Sequence, residues 1–415
     1  MMIKKNFLTY LVITFSLPVL LCAQNTVPFK SIRDFGVSPD KSGAENKKLF
    51  QEAIDWASTC GAALYIEPSD DPYPMEGGII LKQNSSLIGV HGPVGRGTGN
   101  NNKKEPVGSV FKIEDEKNPF ITVEGATQLK GIQFWYPNQA IKDSSKIIKY
   151  PPTIMVSHEK NVYGVTLSCL TFYGEYIAMD FNADRQFPCE QILIEHCYGY
   201  PLSGQFIRID YCYDIPRILH CHINPGNLRY ILKGDSFAKE ICDAVVAQKT
   251  FAYAINRTDN AVIMDIFTFG TYGGVYLGES TYGQLTGFNF DCVVVGIYKL
   301  GDNHKNRNWQ IAQGSIISNT GKSPSDAHPI IIEGKGHTSL TNVETFSGLN
   351  PALTTFPESE DFMLVRGKDK LTVSLYGCRM SCYRSEKPIT IDNPGAVIQA
   401  SDCIDKDENP FSLHK

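Results

Sequence analysis

Asp180, Asp210 and Glu279 each follow a short run of alternating apolar residues, in IAMDFN, FIRIDY and VYLGES. Aligning these runs puts Ile121 and Val123, Ile207 and Ile209, Tyr253 and Ile255, and Ile330 and Ile332 on an inner face. Strand alternation then sends their neighbours outward. The outward column reads Glu124, Ser157, Asp180, Asp210, Asn256, Glu279, Gly301, Glu333, Arg366 and Asp392, with Arg208 and Lys299 pointing out one column over. Parallel strands lie about 4.8 Å apart, so Asp180 and Asp210 are expected one rung apart and Asp210 and Glu279 two.

Carboxyl groups at such spacings suit glycoside hydrolysis. A separation of about 6.5–9.5 Å admits an attacking water and inverts, whereas about 5 Å permits direct attack and retains. In this reading Glu279 is the acid and Asp210 the base, and Asp180 raises its neighbour's pKa by like-charge repulsion. Asn256, Arg208 and Lys299 are suited to substrate binding, the two cations to uronate or sulfate groups. Tyr211 and Tyr282, from a gathering of tyrosines in the middle of the chain, offer faces for sugar rings to pack on. Hydrolysis of this kind calls for no cofactor and no metal.

The same face also suits β-elimination from a uronate. Lys299 or Arg208 would take the proton, and the acid cluster would hold a divalent cation such as calcium. A third reading is a non-catalytic module that holds a glycan. Outward polar residues are in any case what solvent demands of a sheet, and charged ladders stabilise it modestly.

The elements that position these residues recur along the chain. Between Phe120 and Cys403 the same phrase appears ten times: a short apolar strand, a turn, a second short strand. Successive phrases begin roughly 22 to 46 residues apart, the period of a solenoid. Each strand is too short to bury its apolar face alone, so the coils must stack. β-Branched residues alternate with period 2 and long helical patterns are absent, which makes the stack a single-stranded, all-β parallel solenoid of about ten coils.

At 415 residues with a formal net charge of -5 and interspersed charges, the chain has no basic field of the kind a nucleic-acid partner requires. Lys4 and Lys5, an apolar run from Phe7 to Leu21, and Cys22-Ala23-Gln24 read as a secretory signal cut after Ala23. A lipoprotein reading through Cys22 is weaker, because Leu21 stands where a small residue is wanted. The run is short for a membrane span and nothing later is longer. The expected location is periplasmic or extracellular, and the expected partner a polysaccharide or oligosaccharide.

Cys169, Cys197, Cys221, Cys378 and Cys403 recur at one point of their coils, which reads as an interior ladder of small hydrophobes rather than a disulfide framework. His196, His220 and His222 sit at turns without a third ligand at metal spacing, so turn hydrogen bonding is expected of them.

Upstream, residues 24–77 form a cap. Leu49, Phe50, Ala53, Ile54 and Ala57 give Asn46 to Ser58 the period of an amphipathic helix, and Ala62 to Ile66 is a strand stopped by Pro68. Such a helix covers an open sheet end. Residues 78–415 carry the coils, continuous with the cap as one domain. Gly92 to Pro106 is expected to be a flexible surface excursion. Inserts at Pro137–Pro152 and Asn227–Thr250, the second with a short helix over Phe237–Ala247, either wall a groove or decorate the coil edge.

Asp34-Phe35-Gly36, Phe50-Gln51-Glu52-Ala53-Ile54-Asp55 and Ala63-Leu64-Tyr65-Ile66-Glu67-Pro68 resemble the opening of the pectate-lyase-like superfamily, which includes relatives of polygalacturonases, rhamnogalacturonases and phage tailspikes. The resemblance implies a right-handed parallel β-helix and action on polysaccharide. It does not extend to polygalacturonase catalytic signatures, and Gly334-Lys335-Gly336-His337 is only a superficial echo of one. The calcium-site and arginine motifs of pectate lyases are also missing, so fold transfers and activity must be argued from the site. Such relatives often form homotrimers, but no segment here reads as a coiled coil or an interface stripe.

Overall fold

The computed structural model describes residues 29–92, 105–139, 144–230, 238–301, 308–318, 327–347 and 358–415. The expected signal segment and most of the 92–106 excursion lie outside them.

The chain winds into a parallel β-helix. One face is an 11-stranded sheet running from Ile79–Leu81 to Ile389–Ile391, each strand bonded to its counterpart in the next coil. The other two faces belong to a 23-stranded sheet. Strands Asn308–Ser318 and Gly336–Ser347 run through the corner between those faces, which is why the two count as one. Among the described residues strands pair in parallel except at the C-terminal end, where Pro410–His414 folds back antiparallel on Val397–Ile404; Ser69 and Gly108 form an isolated antiparallel bridge.

Inner columns of the 11-stranded face follow the expected pattern. Ile121, Ile154, Met179, Ile207, Tyr253, Val275, Ile297, Ile330 and Met363 are in register and fully buried. Parallel in-register stacking also aligns aromatic rings inside the tube. Phe134 and Phe172 stack with centroids 5.0 Å apart and planes at 19°, a pairing worth about 0.5–1.5 kcal/mol beyond its buried area.

One corner is built the same way in ten successive coils. Gly131, Cys169, His196, His220, Asp265, Gly287, Gln313, Asn342, Gly377 and Asp402 follow mutually paired residues, and all have φ between 51° and 69°. A left-handed conformation costs a non-glycine residue about 1–2 kcal/mol, so paired strands on both sides of the corner must impose it. Cys197, Cys221, Cys378 and Cys403 come immediately after the corner and are buried, as the ladder reading expects. Cys169 departs from that reading: it is the corner residue itself, one position earlier than the rest of the column. All eleven described cysteines are free thiols.

Helix α1 spans Gly43–Cys60, slightly longer than its apolar period indicates. Ser42 caps it: Ser42 Oγ accepts from Glu45 N at 3.3 Å, and Glu45 Oε2 accepts from Ser42 N at 3.1 Å. Gly61, at φ 65°, ends it. Phe50, Ala53, Ile54 and Ala57 are buried against the first coil, where the Phe50 ring lies 5.2 Å from that of Phe111. Burying such a phenylalanine contributes about 1.5–3 kcal/mol. Helix α2 spans Ala238–Val246. Among the described residues no helix is long and apolar enough to cross a membrane.

Candidate active site

The acidic column opens onto a groove of about 640 Å³ at the C-terminal ends of strands Gln205–Asp210, Phe251–Ile255 and Gly273–Leu277. Asp210, Asn256 and Glu279 line it, with Tyr211, Tyr213 and Tyr276 as aromatic walls and Arg185 and Arg257 as cations. Ser280 and Leu300 complete the surface.

Asp210 ends its strand. Its Oδ1 accepts from the backbone N–H groups of Tyr211 at 2.8 Å and Arg257 at 3.0 Å. Oδ2 has no hydrogen-bond partner among the described residues. Burial pushes the Asp210 carboxyl above the usual range; the two N–H donors and the Arg257 charge pull the other way without cancelling it. Tyr211 follows at φ 45°. Non-glycine residues held in that region mark places where surrounding structure fixes the backbone, here turning the chain at the groove floor.

Asn256 sits on the next rung, its N–H donating to Ile209 O at 2.8 Å, and Gly278 on the rung after that, donating to Ile255 O at 2.7 Å. A side chain at Gly278 has no room, because a Cβ there would lie 2.2 Å from Asn256 Oδ1. Glu279 is therefore one residue beyond the column, exposed at the turn, with Ser280 behind it at φ 58°. Asp210 and Gly278 are two rungs apart, about 10 Å between backbones at about 4.8 Å per rung. The Glu279 carboxylate is close enough to Tyr276 to help burial raise that phenol.

Arg257 is anchored rather than free: Nη1 donates to Thr258 O at 3.1 Å and to Asp259 Oδ1 at 2.7 Å, and the guanidinium lies 4.9 Å from the Tyr213 ring centre. Arg185 is exposed and has no ion pair among the described residues.

Of the residues singled out from sequence, Asp210, Asn256, Glu279 and Tyr211 meet in this groove. Others do not. Asp180 is opposite Arg208, and Asp210 is opposite Asn182, so Asp180 and Asp210 do not share a column. The Asp180 carboxylate is gripped at both oxygens, Oδ1 by Arg208 Nε at 3.1 Å and Oδ2 by Arg208 Nη2. Asp180 therefore does not crowd Asp210, and Arg208 is neutralised in place. Lys299 is buried at 1% exposure: it occupies the inner column between Leu277 and Ile332, and its Nζ donates to Lys335 O at 2.6 Å. Neither Lys299 nor Arg208 is placed to take a substrate proton, and the acid cluster invoked for elimination loses Asp180. Tyr282 precedes strand Gly283–Thr286 and is not among the residues lining the groove.

Sequence reading passed over Arg185, Arg257 and Tyr276. Arg257 was legible as the residue following Asn256; Arg185, in the turn after Asn182, carries no periodic signal. Of the three histidines, among the described residues only the His220 ring hydrogen-bonds as expected, its Nδ1 2.7 Å from Asp265 Oδ2; His196 packs tilted against it at 4.7 Å, and His222 lies in a strand, its ring stacked on Tyr198 and Phe267. No described residue of the second insert lines the groove. Its helix α2 buries Ile241 and Val245 with Trp135, Tyr173 and Tyr200, and Val245 packs beside Gly204, just before strand Gln205–Asp210 begins.

No protein-family model matches the chain, and no curated protein is similar to it in sequence. Solved structures are similar in shape. An exopolygalacturonase from Thermotoga maritima aligns at 10% identity and a TM-score of 0.56, over 94% of this chain and 95% of that one. The likeness is one of fold: this chain, too, is wound as a parallel β-helix. The tailspike gp42 of Acinetobacter phage vb_AbaP_AS12 aligns at 9% identity and 0.56, over 94% of this chain and 65% of that one. The pre-mature gene product 12 of bacteriophage phi29 aligns at 12% and 0.56, over 90% and 52%. This chain thus spans about half to two thirds the length of the two phage proteins.

Proposed function

We infer that this protein hydrolyses a glycosidic bond of a polysaccharide or oligosaccharide, with Asp210 as general acid and Glu279 as general base. The observation that carries the reading is that these two carboxyls line one groove in different environments. Burial holds Asp210 toward its protonated form, which suits proton donation to the leaving oxygen. Glu279 is exposed and suits activation of a water. This reverses the roles expected from sequence. The rung spacing favours the wider, water-admitting arrangement and so inversion at the anomeric carbon. Tyr211, Tyr213 and Tyr276 supply ring faces for sugar C–H surfaces, and Asn256 a hydroxyl partner. An exopolygalacturonase of matching length and fold supports a glycan substrate; a periplasmic or extracellular location is part of the same proposal.

Incubation with a panel of acidic and neutral glycans tests it, following reducing ends and the absorbance of unsaturated products. Reducing ends without absorbance that vanish in Asp210→Asn support the reading. Absorbance from the same groove would replace it with elimination. Retained affinity without either product would make the protein a glycan-holding module.

A further inference from the structure

Among the described residues, the two buried thiols outside the interior core, Cys242 and Cys292, lie near each other where α2 lies on the coil. Strand Phe267–Phe269 pairs with Asn289–Val293, Phe269 opposite Asp291, and Gly270 N donates to Asp291 O at 3.0 Å. Cys292 is the next residue on that neighbouring rung. There the register shifts between Phe290 and Val293, and Cys292 takes φ 56°. A bulge of this kind re-aims a side chain out of the regular column, and Cys292, buried at 4% exposure, is not part of the interior core. From the other side α2 brings Cys242, at 6% exposure. Its sulfur occupies the space that a side chain at Gly270 would fill, 2.4 Å from where that Cβ would stand. Gly270, at φ 66°, is thus both turn and socket.

We propose that Cys242 and Cys292 are a cross-linking site, oxidised to a disulfide that straps helix α2 onto the coil. Cys242 Sγ sits over Gly270, and Cys292 follows Asp291 on the neighbouring rung, about 4.8 Å from the Gly270 backbone; a disulfide joins Cα atoms about 4.4–6.8 Å apart. Asp291 accepts from the Cys292 thiol, and burial and the Asp291 charge push that thiol up, so its thiolate forms while the site is still open to water. The Cys292 thiolate attacks a disulfide such as oxidised glutathione, forming a mixed disulfide and releasing one glutathione thiolate. The Cys242 thiolate then attacks the Cys292 sulfur, closing the protein disulfide and releasing the second. Two protein thiols lose two protons and two electrons, and the glutathione disulfide is reduced to two thiols. With α2 seated both sulfurs are out of reach of an oxidant, so the reaction belongs to the docking of the insert.

Refolding the full chain in a glutathione redox buffer and mapping peptides without reduction tests this. The expected result is one linked pair joining the Cys242 and Cys292 peptides, lost in Cys242→Ser and in Cys292→Ser. The oxidised protein should also resist proteolysis within 238–250 more than the reduced protein. Recovery of both peptides as free thiols, or linked to other cysteines, from folded wild-type protein would overturn the proposal whether or not the variants fold.

Discussion

The guanidinium of Arg208 grips both carboxylate oxygens of Asp180 on the preceding coil. The pair lies beside the acidic groove without belonging to it, so it is structural. Its carboxylate side chain is 10% exposed and its guanidinium 35%. Arg208→Ala strands a largely buried charge and should lower stability by about 1–3 kcal/mol in urea unfolding, less than a fully buried pair because the guanidinium is partly solvated. Turnover per folded molecule should be retained. A large fall in kcat at unchanged stability would return Arg208 to the substrate site.

Asp210→Asn and Glu279→Gln should each reduce kcat/KM by about 100- to 10,000-fold, the range for a general acid or base. Glu279 is exposed, so its variant should melt with the wild type. Addition of azide should restore turnover in Glu279→Gln alone, because a small anion can replace the base but not the proton donor. Rescue in Asp210→Asn instead would exchange the two roles.

Activity should depend on Asp210 staying protonated. With its carboxyl raised by burial, kcat/KM falls as pH rises through that elevated value. The Arg257 charge favours the ionised form, so Arg257→Gln removes a lowering influence and should move the alkaline limb to higher pH. A limb that stays put, or moves to lower pH, would disconnect Asp210 from the proton transfer.

Glu175 is fully buried; Oε1 accepts from Tyr200 N at 3.0 Å, Oε2 has no partner, and burial pushes its carboxyl up to about 8. The folded protein therefore keeps a proton that the unfolded chain releases above its ordinary value of 4.5. Stability should be full below that value and fall as pH rises to about 8, because the native state binds the extra proton. Glu175→Gln should abolish this slope and gain most over the wild type at alkaline pH. Parallel pH–stability curves for the two proteins would refute it.

Gly287 holds the repeating corner at φ 65°. Gly287→Ala should cost about 1 kcal/mol, seen as a lowered urea midpoint with unchanged slope. No change would mean that the coil relaxes at this corner instead of imposing it.

Much of this architecture was legible before any coordinates. The inner columns and the helices α1 and α2 follow from period, whereas the caps Ser42 and Gly61 were passed over. The candidate site was half legible, for a physical reason. Strand side chains alternate with period 2, so sliding a strand by two residues leaves its inside–outside pattern unchanged. Reading IAMDFN with Ile177 and Met179 as the inner pair, when Met179 and Phe181 take those places, moved Asp180 beside Asp210 and hid its partnership with Arg208. Lys299 failed differently. Its charge suggested an outward position, but register assigns it to the interior, where a turn carbonyl satisfies the ammonium. Gly278, not Glu279, follows the inner residue Leu277 as Asp210 follows Ile209, a step the alternation already carried and the alignment skipped.

Winding also quantises the distance between Asp210 and Glu279. Side chains borne on successive turns of a tube can approach or separate only by whole turns, about 4.8 Å at a time. Excising the single turn between them would bring the carboxyls near the 5 Å at which attack on sugar becomes direct. Stereochemical outcome on this scaffold is then a matter of counting turns, and loss or duplication of one repeat could switch it without altering either acid.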